Sequence, residues 1–191
     1  MARFDRICHI YDLLPIPTHH QELQARFKGL PGPRLDLGGG TGRFTARLHG
    51  EASPQVVADA SRGMLAQGRR AERPHHAVEA LGEALPFPSS TFHGVSITEA
   101  FHHFAPHQAE VLAEVARVLT PQGRLVIEEI HPERSWGRVI AWGENALLRL
   151  GSRFLTPGAL ARMVDRWFEQ VTWAPSGSFT YVVEARAPRH P

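Results

Sequence analysis

The segment Arg34-Leu35-Asp36-Leu37-Gly38-Gly39-Gly40-Thr41-Gly42 decides the fold. A short apolar run stops at a cluster of glycines, and a helix-like stretch from Arg43 to His49 follows at once. The order strand, tight turn, helix brings backbone N–H groups close to a ligand. Gly38, Gly40 and Gly42 suit positions where φ must be positive or where a Cβ would collide with that ligand. A dinucleotide fingerprint would put a third glycine at position 43, where Arg43 stands. A P-loop would close on Gly-Lys-Ser/Thr, and no lysine follows Gly42. The loop therefore fits a ligand without phosphates better than a pyrophosphate. A plain turn between strand and helix is the competing reading.

Working upstream, Phe4, Ile7, Cys8 and Tyr11 recur at helical spacing until Pro15 and Pro17 break the run. A short helix is expected over His19 to Phe27, with Thr18 as its N-cap. Leu30-Pro31-Gly32-Pro33 then separates residues 1–30, a helical flank or lid, from the body of the domain. Downstream, strands are expected at Gln55–Ala58, Ala77–Leu81, Phe92–Thr98 and Arg124–Ile130. Between them lie helices at Arg62–Ala71, capped by Ser61, and Pro106–Leu119, the latter ended by a turn at Thr120–Gly123. Residues 131–156 break the alternation and read as a helical cap inserted after the fifth strand. A helix over Pro157–Trp167 comes next, with Thr156 as N-cap and Pro157 at its first position. Strands at Val171–Ala174 and Phe179–Ala187, joined by Pro175–Ser178, close the chain as a hairpin. The expected fold is α/β: a seven-stranded, mostly parallel sheet with the last strand antiparallel, helices on both faces, a helical N-terminal flank and a helical cap insert, forming a single domain over 1–191.

The totals exclude several classes. With 191 residues, 42% hydrophobic and 21% charged, the composition is that of an ordinary globular domain. No apolar run reaches the roughly 18–20 residues of a membrane span, and the charged stretch Met1–Tyr11, without an apolar h-region, leads us to expect no secretory signal. The single cysteine, Cys8, fits a reducing compartment, so a cytoplasmic location is expected. The net charge is +2, and the densest basic cluster, Arg69, Arg70 and Arg73, is interrupted by Glu72. That pattern is a solvated helix face, and no nucleic-acid partner is expected. Among 12 histidines, several are adjacent pairs (His19-His20, His75-His76, His102-His103) whose side chains diverge. With no H-E-x-x-H or Cys/His spacing, no metal site is expected.

In an open α/β sheet, ligands sit beyond the carboxyl ends of the strands. The first strand ends in the glycine loop, the second at Asp59, the third near Leu81 to Glu83, and the fourth at Thr98 and Glu99. Asp59 lies about twenty residues after the loop, where a carboxylate can accept hydrogen bonds from both hydroxyls of a ribose. A cap on the following helix is its other reading.

These stretches resemble the class I S-adenosylmethionine-dependent methyltransferases, specifically the small-molecule group related to quinone-biosynthesis C-methyltransferases. The matching segments are Leu35–Gly42, Val57–Leu65 (Val-Ala-Asp-Ala-Ser-Arg-Gly-Met-Leu), Glu83–Phe92, Phe101–Phe104 (Phe-His-His-Phe) and Val118–Ile127. Phe4–Ile7 and Tyr11-Asp12 resemble the group's opening. The resemblance implies a Rossmann-like sheet that binds S-adenosylmethionine and releases S-adenosylhomocysteine. It assigns Asp36 and the loop Gly38, Gly39, Gly40 and Gly42 to the methionine end, and Asp59 to the ribose. It places Ala60 and Met64 against the adenine, Gly82 and Glu83 at its edge, Thr98 and Glu99 beside the methionine, and Tyr11 as a closing side chain. Met64 reads equally well as helix core. Two departures stand out: Leu81 occupies a position where relatives carry an acid against the adenine amino group, and His93 one where they carry aspartate.

Methyl transfer from a sulfonium needs an oriented acceptor in a site with little water. It needs a base only if that acceptor must lose a proton. His102, His103 and His131 are the candidates, each with a packing role as the alternative. The expected acceptor is a small aromatic or apolar molecule, in a pocket made by Tyr11, Trp136, Trp142 and Phe154, with Arg138, Arg149 and Arg153 as attractors for an anion. The competing functions are a cofactor-binding regulatory or assembly protein without turnover, and a nicotinamide-dependent oxidoreductase.

Overall fold

Strand β1 (Arg34–Leu37) is buried at all four positions, and the sheet is built outward from it. The computed structural model describes Asp5, Cys8 and residues 20–48, 54–73, 76–147 and 151–189. On one side β1 pairs in parallel with β2 (Gln55–Asp59), which pairs with β3 (His76–Glu79). On the other it pairs in parallel with β4 (Phe92–Thr98), and β4 with β5 (Leu119–Ile130). The hairpin β6 (Phe168–Ser176) and β7 (Thr180–Pro188) completes seven strands in the order β3-β2-β1-β4-β5-β7-β6. Strand β7 runs antiparallel to both β5 and β6, as the hairpin spacing predicts. The chain winds from β1 to one edge and returns beside β1 as β4, so a crevice opens at the carboxyl ends of these two strands.

Both faces of the sheet are covered, and the two-residue alternation assigns each side chain to one of them. Leu125 and Ile127 of β5 join Val111, Leu112 and Val115 of helix α3 (Gln108–Val118) and Leu160 and Val164 of α5 (Pro157–Val164). Val126 and Val182 point the other way, against Leu23 and Phe27 of α1 (His20–Phe27). Helix α2 (Arg62–Arg70) starts at Ser61, whose hydroxyl accepts from the Met64 N–H, and α5 starts at Thr156 in the same manner, with Pro157 in its first turn.

Several boundaries differ from the sequence reading. The helix expected over Arg43 to His49 is a single 3-10 turn, Thr45–Leu48, because the Thr45 hydroxyl donates to Asp36 and ties the turn back beneath the glycine loop. The turn expected at Thr120–Gly123 belongs to β5 instead. The pairing Phe92 with Leu119 and Gly94 with Arg124 absorbs the extra residues as an irregularity in the ladder. Helix α3 starts at Gln108 instead of Pro106, and α5 ends at Val164 instead of Trp167. Strand β6 extends beyond Val171–Ala174 at both ends: backbone pairing to β7 sets its length, while its mostly exposed side chains give a weak alternation signal. The cap contains α4 (Ser135–Trp142) and a π-turn (Gly143–Leu147). The helix expected through Phe4, Ile7 and Tyr11 lies, apart from Asp5 and Cys8, outside the described residues. No described helix is long and apolar enough to cross a membrane.

Candidate active site

The carboxyl ends of β1, β2 and β4 enclose a cavity of about 330 Å³. Gly38, Gly40, Asp59, Ala60, Met64, Gly82, Glu83 and Glu99, all selected from sequence, line it. Gly38 has φ +72°, and a Cβ there would stand 2.8 Å from the Ala100 Cβ, so the loop passes where only glycine fits. The N–H groups of Gly38, Gly40 and Gly42 donate to the Ala58 carbonyl, an Asp59 carboxylate oxygen and the Gly39 carbonyl. At these three positions the loop offers a ligand clearance, not donors.

Asp59 sits at the tip of β2 with one carboxylate oxygen accepting from the Gly40 N–H at 2.8 Å and the other from the Ser61 N–H at 2.7 Å. Burial raises its pKa, and those two hydrogen bonds oppose the rise. Each oxygen keeps acceptor capacity for one further donor. Asp36 takes a different role. Its carboxylate accepts from the Thr45 hydroxyl at 2.6 Å and the Ser96 hydroxyl at 3.1 Å, beneath the loop and outside the cavity lining. Burial pushes it up to about 6, opposed by the two hydroxyls. Asp5 reaches the same rim, accepting from the Ser61 hydroxyl at 2.6 Å and the Gly63 N–H at 2.8 Å; these bonds hold its carboxyl below the usual range.

Glu99 closes β4 at φ +49°, a left-handed conformation that costs a non-glycine residue roughly 1–2 kcal/mol. The turn sends the chain into the 3-10 segment Phe101–Phe104 and leaves Glu99 in the cavity wall. Burial, then the neighbouring Glu128 and Glu129, push its carboxyl up to about 8.

Of the three candidate histidines, only His103 lines the cavity. His102 is buried, with Nδ1 2.8 Å from Glu129 Oε2 and Nε2 3.3 Å from Glu144 Oε2, and Phe154 stacks on its ring at 4.1 Å. Burial opposes its charge, but the two glutamates prevail and push it up to about 10, so it is an imidazolium. His103 is driven down to about 3, by burial first and then by the His102 charge, and is neutral. His131 Nδ1 accepts from the Glu133 N–H, and its ring meets Tyr181 edge-on, away from the cavity. His102, His103 and Glu144 bring three donor atoms within 4.8 Å of one another, the spacing of a metal clasp.

Gly39, Gly42 and Thr98 stand just outside the lining. Gly39 packs on Asp36, where a Cβ would lie 2.6 Å from Oδ2. Tyr11 and Arg149 lie outside the described residues. The aromatic pocket expected from Trp136 and Trp142 is not formed: both are exposed, at 67% and 63%, because α4 turns them outward. Phe154 stacks on His102 instead of lining the cavity, and Arg138 and Arg153 are exposed. Leu81, Phe104 and His107 line the cavity without having been singled out as ligands. Glu129, Glu144 and Ser152 escape a sequence reading because they meet His102 and His103 across 27 to 49 residues, which no local spacing reveals.

Residues 35–127 match the family described as a methyltransferase domain. A ubiquinone/menaquinone biosynthesis C-methyltransferase, UbiE, of Cronobacter sakazakii is 39% identical over 104 residues, covering 50% of this chain and 41% of the relative. The chain thus spans about two fifths of the length of the curated relatives it matches. A structure from Thermotoga maritima, titled a SAM-dependent methyltransferase and possible histamine N-methyltransferase, superposes with a TM-score of 0.80 at 20% identity over 97% of this chain and 98% of that one. A putative methyltransferase from Bacillus halodurans gives 0.73 at 17% identity over 91% of this chain and 100% of that one. Sequence match and fold agree: residues 35–127 match a methyltransferase domain, half of the chain is similar in sequence to quinone C-methyltransferases, and nearly the whole chain shares the fold of a SAM-dependent methyltransferase.

Proposed function

We infer that this chain transfers a methyl group from S-adenosylmethionine to a small-molecule acceptor. The observation that carries the reading is Asp59: a half-buried carboxylate at the β2 tip, fixed by two backbone N–H groups, with acceptor capacity facing a cavity walled by glycine. S-adenosylmethionine supplies a methyl already activated by a positive sulfur, so the chain's task is to bind, orient and exclude water. Asp59 receives the ribose hydroxyls, Ala60 and Met64 face the adenine, and Gly82 and Glu83 border its edge. Gly38 and Gly40 provide room for the methionine end, and Asp36 fixes the loop from below through Thr45. Glu99 meets the ammonium group. Its carboxyl, raised to about 8, is protonated at pH 7, so pairing with a cation releases a proton.

Ala100 and Phe104 give the cavity an apolar wall suited to a small ring-bearing acceptor. The names of the curated relatives attach them to quinone biosynthesis, which agrees with such an acceptor. Calorimetric titration with S-adenosylmethionine and S-adenosylhomocysteine tests the reading. Both should bind, with proton release at pH 7 seen by comparing buffers of different ionisation enthalpy for the donor. Absence of heat for both ligands, with the chain folded, would remove the reading.

A further inference from the structure

The adjacent pair His102-His103 sits on the 3-10 turn Phe101–Phe104, which draws the two rings together, 4.0 Å between centroids, where a strand would send them to opposite faces. Against them the cap brings Glu144. Its Oε2 stands 3.3 Å from His102 Nε2 and 4.0 Å from His103 Nδ1, and the donor atoms of the three residues all lie within 4.8 Å of one another. The Arg153 N–H on the His102 carbonyl, and Gln108, which bonds the Phe101 and Arg153 carbonyls, hold the cap to this turn.

His102 Nε2 is the informative atom. The side chain is 1% exposed, yet Nε2 has no hydrogen-bond partner: Glu144 Oε2 is near enough but lies off the N–H direction. A buried ring nitrogen left in this way costs free energy. Two ligands of one tetrahedral ion, each about 2 Å from it, stand about 3.3 Å apart, and neither points at the other. His102 Nε2 and Glu144 Oε2 have both that separation and that misalignment.

The groups behind these atoms fit the same reading. His102 Nδ1 is 2.8 Å from Glu129 Oε2, and this contact fixes the ring with Nε2 turned to Glu144. The Ser152 hydroxyl donates to Glu144 Oε2 at 2.8 Å. Metal ligands are oriented in this manner: a histidine by a carboxylate on its other nitrogen, a carboxylate by a hydrogen bond of its own. Charge agrees. Among the described residues neither Glu129 nor Glu144 pairs with lysine or arginine, so both carboxylates face only histidine. A divalent cation between neutral imidazoles brings these two buried charges to zero.

We propose that His102 Nε2, His103 Nδ1 and Glu144 bind one divalent transition-metal ion of the zinc class, which clips the cap to the 101–104 turn behind the cavity wall. Two imidazole nitrogens and one carboxylate oxygen select such an ion over magnesium or calcium, which take oxygen ligands. Three protein ligands leave a fourth position to water. At His102 the ion replaces the proton on Nε2, which leaves to solvent. At His103 it replaces the contact of Nδ1 with Ser152 at 3.0 Å, while the Ser152 hydroxyl stays on Glu144. The 4.0 Å edge to His103 is longer than the tetrahedral one, and the partly exposed His103 and Glu144 side chains shorten it by turning about their own torsions. The expectation of no metal from the sequence rests on local spacing, and Glu144 arrives from the cap, which local spacing does not register.

The test titrates zinc chloride alone into the full chain after treatment with a chelator. No S-adenosylmethionine is present, so the result does not depend on the methyltransferase reading. One zinc ion per chain should bind with micromolar affinity or tighter, and millimolar magnesium or calcium should not displace it. Long-range ¹H–¹⁵N NMR should locate the ion: at one equivalent of zinc, His102 Nε2 and His103 Nδ1 should shift while the other imidazoles stay in place. Glu144→Gln, which keeps the size of the side chain but not its charge, should weaken zinc binding at least tenfold. Glu129→Gln, behind the ligand, should weaken it with the stoichiometry unchanged. No binding by the folded chain, shifts confined to other histidines, displacement by magnesium, or an affinity unchanged in Glu144→Gln would each overturn the proposal. Where a variant fails to fold, the NMR shifts of the unsubstituted chain decide alone.

Discussion

The two walls of the cavity are made from different material. The wall assigned to the cofactor is mostly backbone and comes from contiguous segments: the loop at 38–42, the β2 tip at 59–61 and the turn at 82–83. The opposite wall carries the side chains of Glu99, His103, Phe104 and His107, and behind His103 a polar cluster of Ser152, Glu144, His102 and Glu129 ties the 3-10 turn at 101–104 to the cap and β5. A backbone wall accommodates one rigid, invariant ligand. A side-chain wall changes its chemistry by single substitutions, which suits the part of a site that varies from one acceptor to another.

The sharpest way to break the first wall is Gly38→Val. A β-branched residue at φ +72° costs about 1–3 kcal/mol, and its Cβ would overlap Ala100. Affinity for S-adenosylhomocysteine should fall roughly 100-fold, which corresponds to about 2.7 kcal/mol, while circular dichroism stays unchanged. A variant that binds normally would show that the loop does not approach the ligand.

Leu81→Asp should have a smaller effect of opposite sign. Leu81 is 38% exposed at the cavity rim, so a new charged hydrogen bond to the adenine amino group is partly screened. S-adenosylhomocysteine should bind about fivefold more tightly, read by calorimetry, if the backbone wall lacks only this contact.

The acidic end of β4 gives a pH test. The Glu99 carboxyl is raised from 4.5 to about 8 in the folded chain, so between those values the folded state holds more protons than the unfolded one. Its contribution to stability therefore falls as pH rises through that window. Thermal unfolding followed from about pH 5 to 9 should show a shallower decline for Glu99→Gln than for the unsubstituted chain; equal slopes would remove Glu99 as a buried acid. The smallest effect belongs to the cap exterior. Replacing both Trp136 and Trp142 by serine should change S-adenosylhomocysteine affinity less than twofold, because both rings face outward.

The same contrast explains what the sequence disclosed. The β1 run, the glycine cluster and Asp59 are local signals: an apolar stretch, residues needed for special backbone geometry, and a carboxylate at a strand tip all write themselves into a few neighbouring positions. The seven-stranded, mostly parallel sheet with its antiparallel last strand follows from the alternation of elements and the final hairpin. The helix expected after the glycine loop shrinks to one turn because Thr45 is held by Asp36 nine positions earlier. The cap departs further: tryptophans suggest a pocket by composition, but the pitch of α4 turns them outward. The polar cluster behind His103 is invisible in the sequence because His102 and His103 meet Glu129 and Ser152 across 27 and 49 positions. An adjacent His-His pair gives no hint that one ring ends as a cation between carboxylates and the other as a neutral wall of the cavity.

The most direct test of the central claim is calorimetric titration of S-adenosylhomocysteine into the unsubstituted chain and Asp59→Ala. Losing charged hydrogen bonds to the ribose, at about 1.5–3 kcal/mol, should weaken binding tenfold or more. An affinity unchanged by the substitution would contradict the placement of the nucleoside across β1 and β2.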